Sequence, residues 1–149
     1  MTGPMESSLE PSPLHRICNP RSIAVFGASN RYFAMGTTQL SALLDLGFEG
    51  AVYPVHPKEE TVLGLRAYRD VRDLPEIPDL ALIILPTRLV AETLEACGEK
   101  GIRRAIVVSG GFAELGTDEG KALQAEVTET AARHGIRFLG PNCLGGVHP

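Results

Sequence analysis

Long apolar runs, paired cysteines and a basic excess are all missing from this chain of 149 residues. The longest apolar stretch, Leu80 to Leu85, has the length of a strand and falls far short of the roughly 20 residues that a membrane-crossing helix needs, so a soluble protein without a membrane partner is expected. Cys18, Cys97 and Cys143 are odd in number, widely spaced and without a C-x-x-C pair, which implies neither a disulfide framework nor a zinc site. No basic-then-apolar leader opens the sequence, and a reducing, cytoplasmic setting is expected. The formal net charge of −4 argues against a nucleic-acid partner, which usually needs a basic field. Arg66, Arg69 and Arg72 do cluster, but Asp70 and Asp73 interleave with them, and the stretch reads as a solvated face.

Hydrophobic residues make up 44% of the chain, and one domain of this length buries roughly two thirds of its unfolded surface. Residues 1–20 carry Pro4, Pro11, Pro13 and Pro20 among serines, a composition that predicts a flexible tail, with one helical turn over Leu14–Cys18 as an alternative. From residue 21 onward, short apolar runs at 22–28, 51–55, 80–85, 105–109 and 136–139 alternate with segments of helical period. That alternation predicts an α/β fold of Rossmann-like type: three layers, a mostly parallel sheet of about five main strands, and helices on both faces. Gly47, Gly98 or Gly101, and Gly135 sit where helices should end, Thr87 can cap the second of them, and the third is expected to begin at Thr117. Residues 56–79 predict a small β-α insertion, with a short strand at Ala67-Tyr68 and a helical turn at Val71–Leu74.

In an open parallel sheet, ligands bind outside the carboxyl ends of the strands. The residues there are Gly27-Ala28-Ser29, His56-Pro57-Lys58, Pro86-Thr87, Ser109-Gly110-Gly111 and Gly140-Pro141-Asn142. The first turn, followed by a loop through Asn30 and Arg31 to Gly36 at a helix start, predicts a backbone cradle for phosphates. Its spacing is not the dinucleotide fingerprint: six residues, Asn30 to Met35, separate Ser29 from Gly36, so G-x-G-x-x-G is absent. A nicotinamide site usually places a carboxylate after the second strand to hold a ribose hydroxyl; here Lys58 stands instead, suiting a ribose that carries a phosphate. Charge alone leaves NADP and coenzyme A equally open.

From about Pro20 to Pro149 the chain resembles the coenzyme A-binding domain of the NDP-forming acyl-CoA synthetases, relatives of the succinyl-CoA synthetase α subunit and including ADP-forming acetate–CoA ligases. The resemblance rests on Pro20–Ser29, Tyr53–Lys58, Asp73-Leu74-Pro75, Ser109–Glu114 and Gly140–Gly145, in that order and spacing. It implies a coenzyme A-binding Rossmann-like domain over 21–149, following the flexible tail that composition predicts over 1–20. It further implies that Gly27, Ala28, Ser29 and the loop through Asn30 and Arg31 to Gly36 hold the pyrophosphate and adenosine of coenzyme A or an acyl-CoA, with Lys58 at the ribose phosphate. Ser109, Gly110 and Gly111 would line the pantetheine path beside Pro86 and Thr87, and Asn142 belongs to the same candidate set. Two departures stand out: His56 replaces a common asparagine, and Arg31-Tyr32-Phe33 is bulkier than the usual loop.

In the resembled enzymes a phosphorylated histidine, in a domain beyond the coenzyme A-binding one, links the acyl group, coenzyme A and a nucleoside triphosphate. Neither that domain nor an ATP-grasp domain is within these 149 residues, so the chain alone is expected to be non-catalytic and its parent an acid–thiol ligase or a related protein acyltransferase. His15, His134 and His148 lie away from the predicted cleft, and His56 is expected to orient or pack. No catalytic residue and no metal site is predicted. An NADP-binding oxidoreductase domain, a stand-alone coenzyme A sensor and a purely assembling subunit are the alternatives.

Overall fold

A computed structural model describes residue 17 and residues 19–31, 34–108 and 116–140, and the predicted alternation appears there as seven strands and three α-helices. In chain order they are β1 (Ser22–Phe26), α1 (Met35–Asp45), β2 (Ala51–Val55), β3 (Thr61–Val62), β4 (Leu65–Arg66), β5 (Leu80–Ile83), α2 (Val90–Lys100), β6 (Arg104–Val107), α3 (Asp118–His134) and β7 (Arg137–Leu139). Five strands form one parallel sheet in the order β2-β1-β5-β6-β7, and β3 with β4 makes a separate antiparallel hairpin. Every position of β1 is buried, as a central parallel strand with helices on both faces requires. Pro54, which can give no ladder N–H, sits in the edge strand β2, where that donor is not needed.

Side chains alternate between two cores with the period of a strand. Ala24, Phe26, Ala81, Ile83, Ala105 and Val107 pack with Val90, Leu94, Cys97, Val127 and Ala131 of α2 and α3. Ile23, Val25 and Leu80 face the other way, onto Leu40 of α1 and onto Ile17, which is helical and buried. At the amino edge of the sheet, the Arg21 main-chain N–H and guanidinium Nε donate to Asp79 at 2.9 and 3.1 Å, and Asp79 N–H donates to Ser22 Oγ at 3.0 Å, pinning β1 beside β5.

All three helices close in the same way. The N–H of Gly47, Gly101 and Gly135 returns to the carbonyl of Leu44, Gly98 and Ala132, and the next N–H reaches one residue further back, to Leu43, Cys97 and Ala131. The third helix starts where expected, and Thr117 caps it, its hydroxyl accepting the Gly120 N–H at 3.0 Å. Thr87 does not cap α2: Thr87–Leu89 is a 3-10 turn led by Pro86 without a side-chain cap, and α2 begins only at Val90. The insertion between β2 and β5 holds the β3–β4 hairpin, an isolated parallel bridge between Val55 and Tyr68, and a 3-10 turn at Val71–Asp73. Among the described residues no helix is long and apolar enough to cross a membrane.

Candidate functional site

The chain runs from β1 out to β2 on one side and returns to β5 on the other, so the order of the sheet reverses around β1. A crevice opens outside the carboxyl ends at such a point. Gly27, directly after β1, has φ +100°, and a Cβ there would fall inside the carbonyl group of Ile84, which follows β5. Only glycine satisfies both demands. Gly36, in the first turn of α1, lies against the Gly27 peptide so closely that a Cβ would overlap the Gly27 carbonyl. Two glycines separated by the long loop are thus in direct contact, and the amino end of α1 is seated on the turn.

The same helix end is left open. Ala34 is its N-cap and supplies no side-chain cap, and no acidic residue lies in the first turn. The positive end of the helix dipole therefore has no counter-charge from α1 itself, although Gly36 and Thr37 of that turn are buried. The turn in front is held by its own bonds: Ser29 N–H donates to Thr37 Oγ1 at 3.0 Å, the Thr37 hydroxyl donates back to the Ser29 carbonyl at 2.9 Å, and Arg31 N–H donates to Ser29 Oγ at 3.2 Å. Ala28 is fully buried in the α1-side core. Asn30 is turned to a different task. Its amide Nδ2 donates to the Thr61 carbonyl at 2.8 Å and to the Glu59 carboxylate at 3.3 Å, while its Oδ1 accepts from Leu63 N–H at 3.1 Å.

The loop after β2 meets that network. His56 N–H donates to the Tyr68 carbonyl at 2.8 Å, and His56 Nδ1 accepts the N–H groups of Lys58 and Glu59, both at 3.0 Å. Lys58 and Arg31 are exposed. Segments 29–31, 56–59 and 61–63 are consequently one hydrogen-bonded unit, which places the predicted phosphate turn and the predicted cation loop together. Beside them lies a cavity of about 550 Å³. Its apolar wall includes Phe26, Val55, Pro57, Val71, Leu85 and Leu89, and Arg69, Asp70, Arg72, Glu92, Thr93 and Glu95 form its polar rim. Pro86 and Thr87 stand between Leu85 and Leu89 on its border. Ser109, Gly110, Gly111 and Asn142 lie outside the described residues, as do Tyr32 and Phe33.

Shifted titrations occur outside the Gly27 and Lys58 turns, and two of the shifted groups, Arg72 and Glu95, line the cavity. The Tyr53 hydroxyl donates to the Glu76 carboxylate, and that bond, with burial added, pushes its pKa up to about 12. Burial pushes the Cys97 thiol up to about 12, in keeping with a packed side chain rather than a reactive one. Hydrogen bonds from Arg133 and then His134 hold Glu95 below the usual carboxylate range. Arg72 is held by Glu99 and Asp70, as the solvated-face reading of that stretch expected. Among the described residues no group of three His, Cys, Asp or Glu side chains is placed to hold a metal ion.

Comparison with known proteins gives a consistent set of likenesses. The family model described as the CoA binding domain matches residues 21–149. The chain is 43% identical over 127 residues to the α subunit of the ADP-forming acetate–CoA ligase II of Pyrococcus furiosus, a match covering 85% of this chain and 27% of that subunit. It is 40% identical over 129 residues to the ADP-forming 4-hydroxybutyrate–CoA ligase of Nitrosopumilus maritimus, covering 87% of this chain and 18% of the relative. Among solved structures, the dinucleotide-forming acetyl-coenzyme A synthetase 1 of Ca. Korarchaeum cryptofilum superposes with a TM-score of 0.82 at 39% identity, over 87% of this chain and 28% of that one. The chain thus spans less than a third of the length of each of these relatives.

Proposed function

Since the chain belongs to the CoA binding domain family and is homologous to the α subunits of ADP-forming acetate–CoA ligases, we propose that it binds coenzyme A or an acyl-CoA along the carboxyl edge of its sheet, as one domain of a larger acyl-CoA synthetase. The observation that carries this reading is the uncapped amino end of α1, seated on the Gly27 turn and hydrogen-bonded through that turn to the Lys58 loop. A helix end of this kind suits the pyrophosphate. The neighbouring cavity of about 550 Å³ has the size and apolar wall that a purine base calls for. Lys58, at the lip, meets the 3′-phosphate of the ribose, and the pantetheine arm leaves past Pro86 and Thr87.

The acyl acid is handled elsewhere. Two of the relatives act on different acids, acetate and 4-hydroxybutyrate, yet share this region with the present chain at 43% and 40% identity. What such enzymes have in common is coenzyme A, and a conserved need for it is what this region would serve. The remaining chemistry, activation of the acid by a nucleoside triphosphate and its transfer to the thiol, then belongs to other domains of the parent ligase.

Calorimetric titration with coenzyme A, dephospho-coenzyme A, NADPH and NADH tests the proposal. Coenzyme A is expected to bind tightest, and Lys58→Ala is expected to weaken it by about 1–3 kcal/mol, the worth of a charge-assisted phosphate contact. Binding of NADPH with none for coenzyme A would overturn the reading.

A further inference from the structure

We propose that His56 is the positioning residue for Lys58: its neutral imidazole caps the turn that aims the lysine at the ribose phosphate. The inference rests on the assignment of Lys58 made above and adds the device that makes it work. A single ring nitrogen, Nδ1, accepts the N–H groups two and three residues ahead, from Lys58 and Glu59, at 3.0 Å each. This is the bond pattern by which a short Asn or Asp side chain folds the backbone that follows it. Pro57 lies between the imidazole and its two donors and has no N–H of its own, so the first amides the turn presents to an acceptor are those two. An imidazole accepts at Nδ1 only as the neutral tautomer carrying its proton on Nε2.

The turn is fixed from both ends. Behind it, the His56 N–H donates to the Tyr68 carbonyl at 2.8 Å, beside the bridge that joins Val55 to Tyr68. Ahead of it, the Glu59 carboxylate accepts from Asn30 Nδ2, whose own residue follows the Gly27–Ser29 turn. Lys58 itself is exposed. Its backbone direction is therefore set entirely by its neighbours, chiefly by His56. Without the ring acceptor the two amides turn to water, and the ammonium group is left to search for the phosphate on a flexible stem, losing part of the contact to ordering entropy.

The test is a double-mutant cycle read with two ligands on the protein as it stands. Affinities for coenzyme A and dephospho-coenzyme A are measured for the parent, His56→Phe, His56→Asn, Lys58→Ala and the His56→Phe/Lys58→Ala pair. His56→Phe keeps a planar ring but no acceptor, and is expected to weaken coenzyme A about fivefold while leaving dephospho-coenzyme A within about twofold. His56→Asn, whose Oδ1 can accept both amides, is expected to restore coenzyme A affinity. In the Lys58→Ala background His56→Phe should have no effect, because nothing remains to be aimed. Nitrogen NMR of the ring, which separates the two tautomers without any ligand, should show the proton on Nε2. Equal weakening of both ligands by His56→Phe, failure of His56→Asn to rescue, or a proton on Nδ1 would overturn the inference while leaving the coenzyme A reading in place. A parent protein that does not distinguish the two ligands would instead overturn the Lys58 assignment and this inference with it.

Discussion

Helix α3 begins with its own cap and its own counter-charge, whereas α1 begins with neither. At α3 the Thr117 hydroxyl accepts the Gly120 N–H, and Asp118 and Glu119 stand in the first turn. At α1 the N-cap is Ala34, which supplies no side-chain cap, and no acid stands in the first turn. Both are crossover helices of one parallel sheet, and both close on a glycine with the same pair of hydrogen bonds. The difference is therefore confined to the amino ends. A side-chain cap contributes about 1 kcal/mol and a favourable first-turn charge a few tenths more. The fold takes that stabilisation where the helix serves only as a wall, and forgoes it where the helix end faces the crevice.

The contrast can be broken most severely at Gly36. Gly36→Ala puts a methyl group onto the Gly27 carbonyl, a backbone atom that cannot swing aside, so α1 must lift from the turn. Loss of coenzyme A binding by more than about 100-fold is expected in calorimetry, together with a lower melting temperature, because both phosphate grip and α1-side packing depend on that contact. Retention of parent affinity would mean that the seat of α1 on Gly27 is not the anion site.

A milder pair of changes exchanges the two ends. Ala34 has φ −70° and ψ 139°, the geometry of an N-cap, so Ala34→Asp gives α1 the cap that α3 already has. The free protein should gain about 0.5–1 kcal/mol in denaturant unfolding, while coenzyme A weakens roughly tenfold because the new carboxylate occupies the place of the pyrophosphate. The mirror change, Thr117→Ala, should cost about 1 kcal/mol of stability and leave coenzyme A affinity within about twofold. If Ala34→Asp stabilises without weakening the ligand, the open end of α1 is a plain omission and not a binding feature.

How far these two ends were legible in sequence follows from what each is made of. The five sheet strands stood out because both faces of a central parallel strand are buried, which leaves an unbroken apolar run such as Ile23–Phe26. The start of α3 at Thr117 and the closing glycines were legible because each rests on local bonds between near neighbours. Thr87 failed as a cap for the same local reason turned around: Pro86 in front of it starts a 3-10 turn, and the α-helix waits until Val90. The β3–β4 hairpin was not read at all. Its strands are two residues each, and its turn uses Leu63 at φ +50°, a position where the rule looks for Asn or Gly. Leu63 is kept there by the bond from its N–H to Asn30 Oδ1, formed across 33 positions of sequence. The apolar wall of the crevice escaped as well, since Phe26, Val55 and Leu85 at strand ends read as core and nothing in periodicity tells which core face stands open.

The smallest expected effect concerns the carboxyl end of α3, where the contrast with α1 continues. There Glu95 of α2 accepts from the Arg133 guanidinium at 2.7 Å and lies 2.9 Å from His134 Nε2, while the His134 ring packs where a Cβ on Gly98 would otherwise sit. Two helices are thus tied together on the face opposite α1. The Arg133 bond, and then His134, hold Glu95 below the usual carboxylate range, which fixes the sign of the pH dependence. A carboxylate with a depressed folded pKa contributes stability above its unfolded pKa, and that contribution fades as the pH falls through the folded value. The pair is exposed, so the effect is small and screened by salt. Glu95→Gln should therefore be slightly less stable than the parent near about pH 7 in urea unfolding, and the two should converge as the solution is taken down to about pH 3. The readout is stability alone, because Glu95 also lines the cavity assigned to the purine; an equal stability of the two proteins near about pH 7 would show that the tie adds nothing to the packing of α2 on α3.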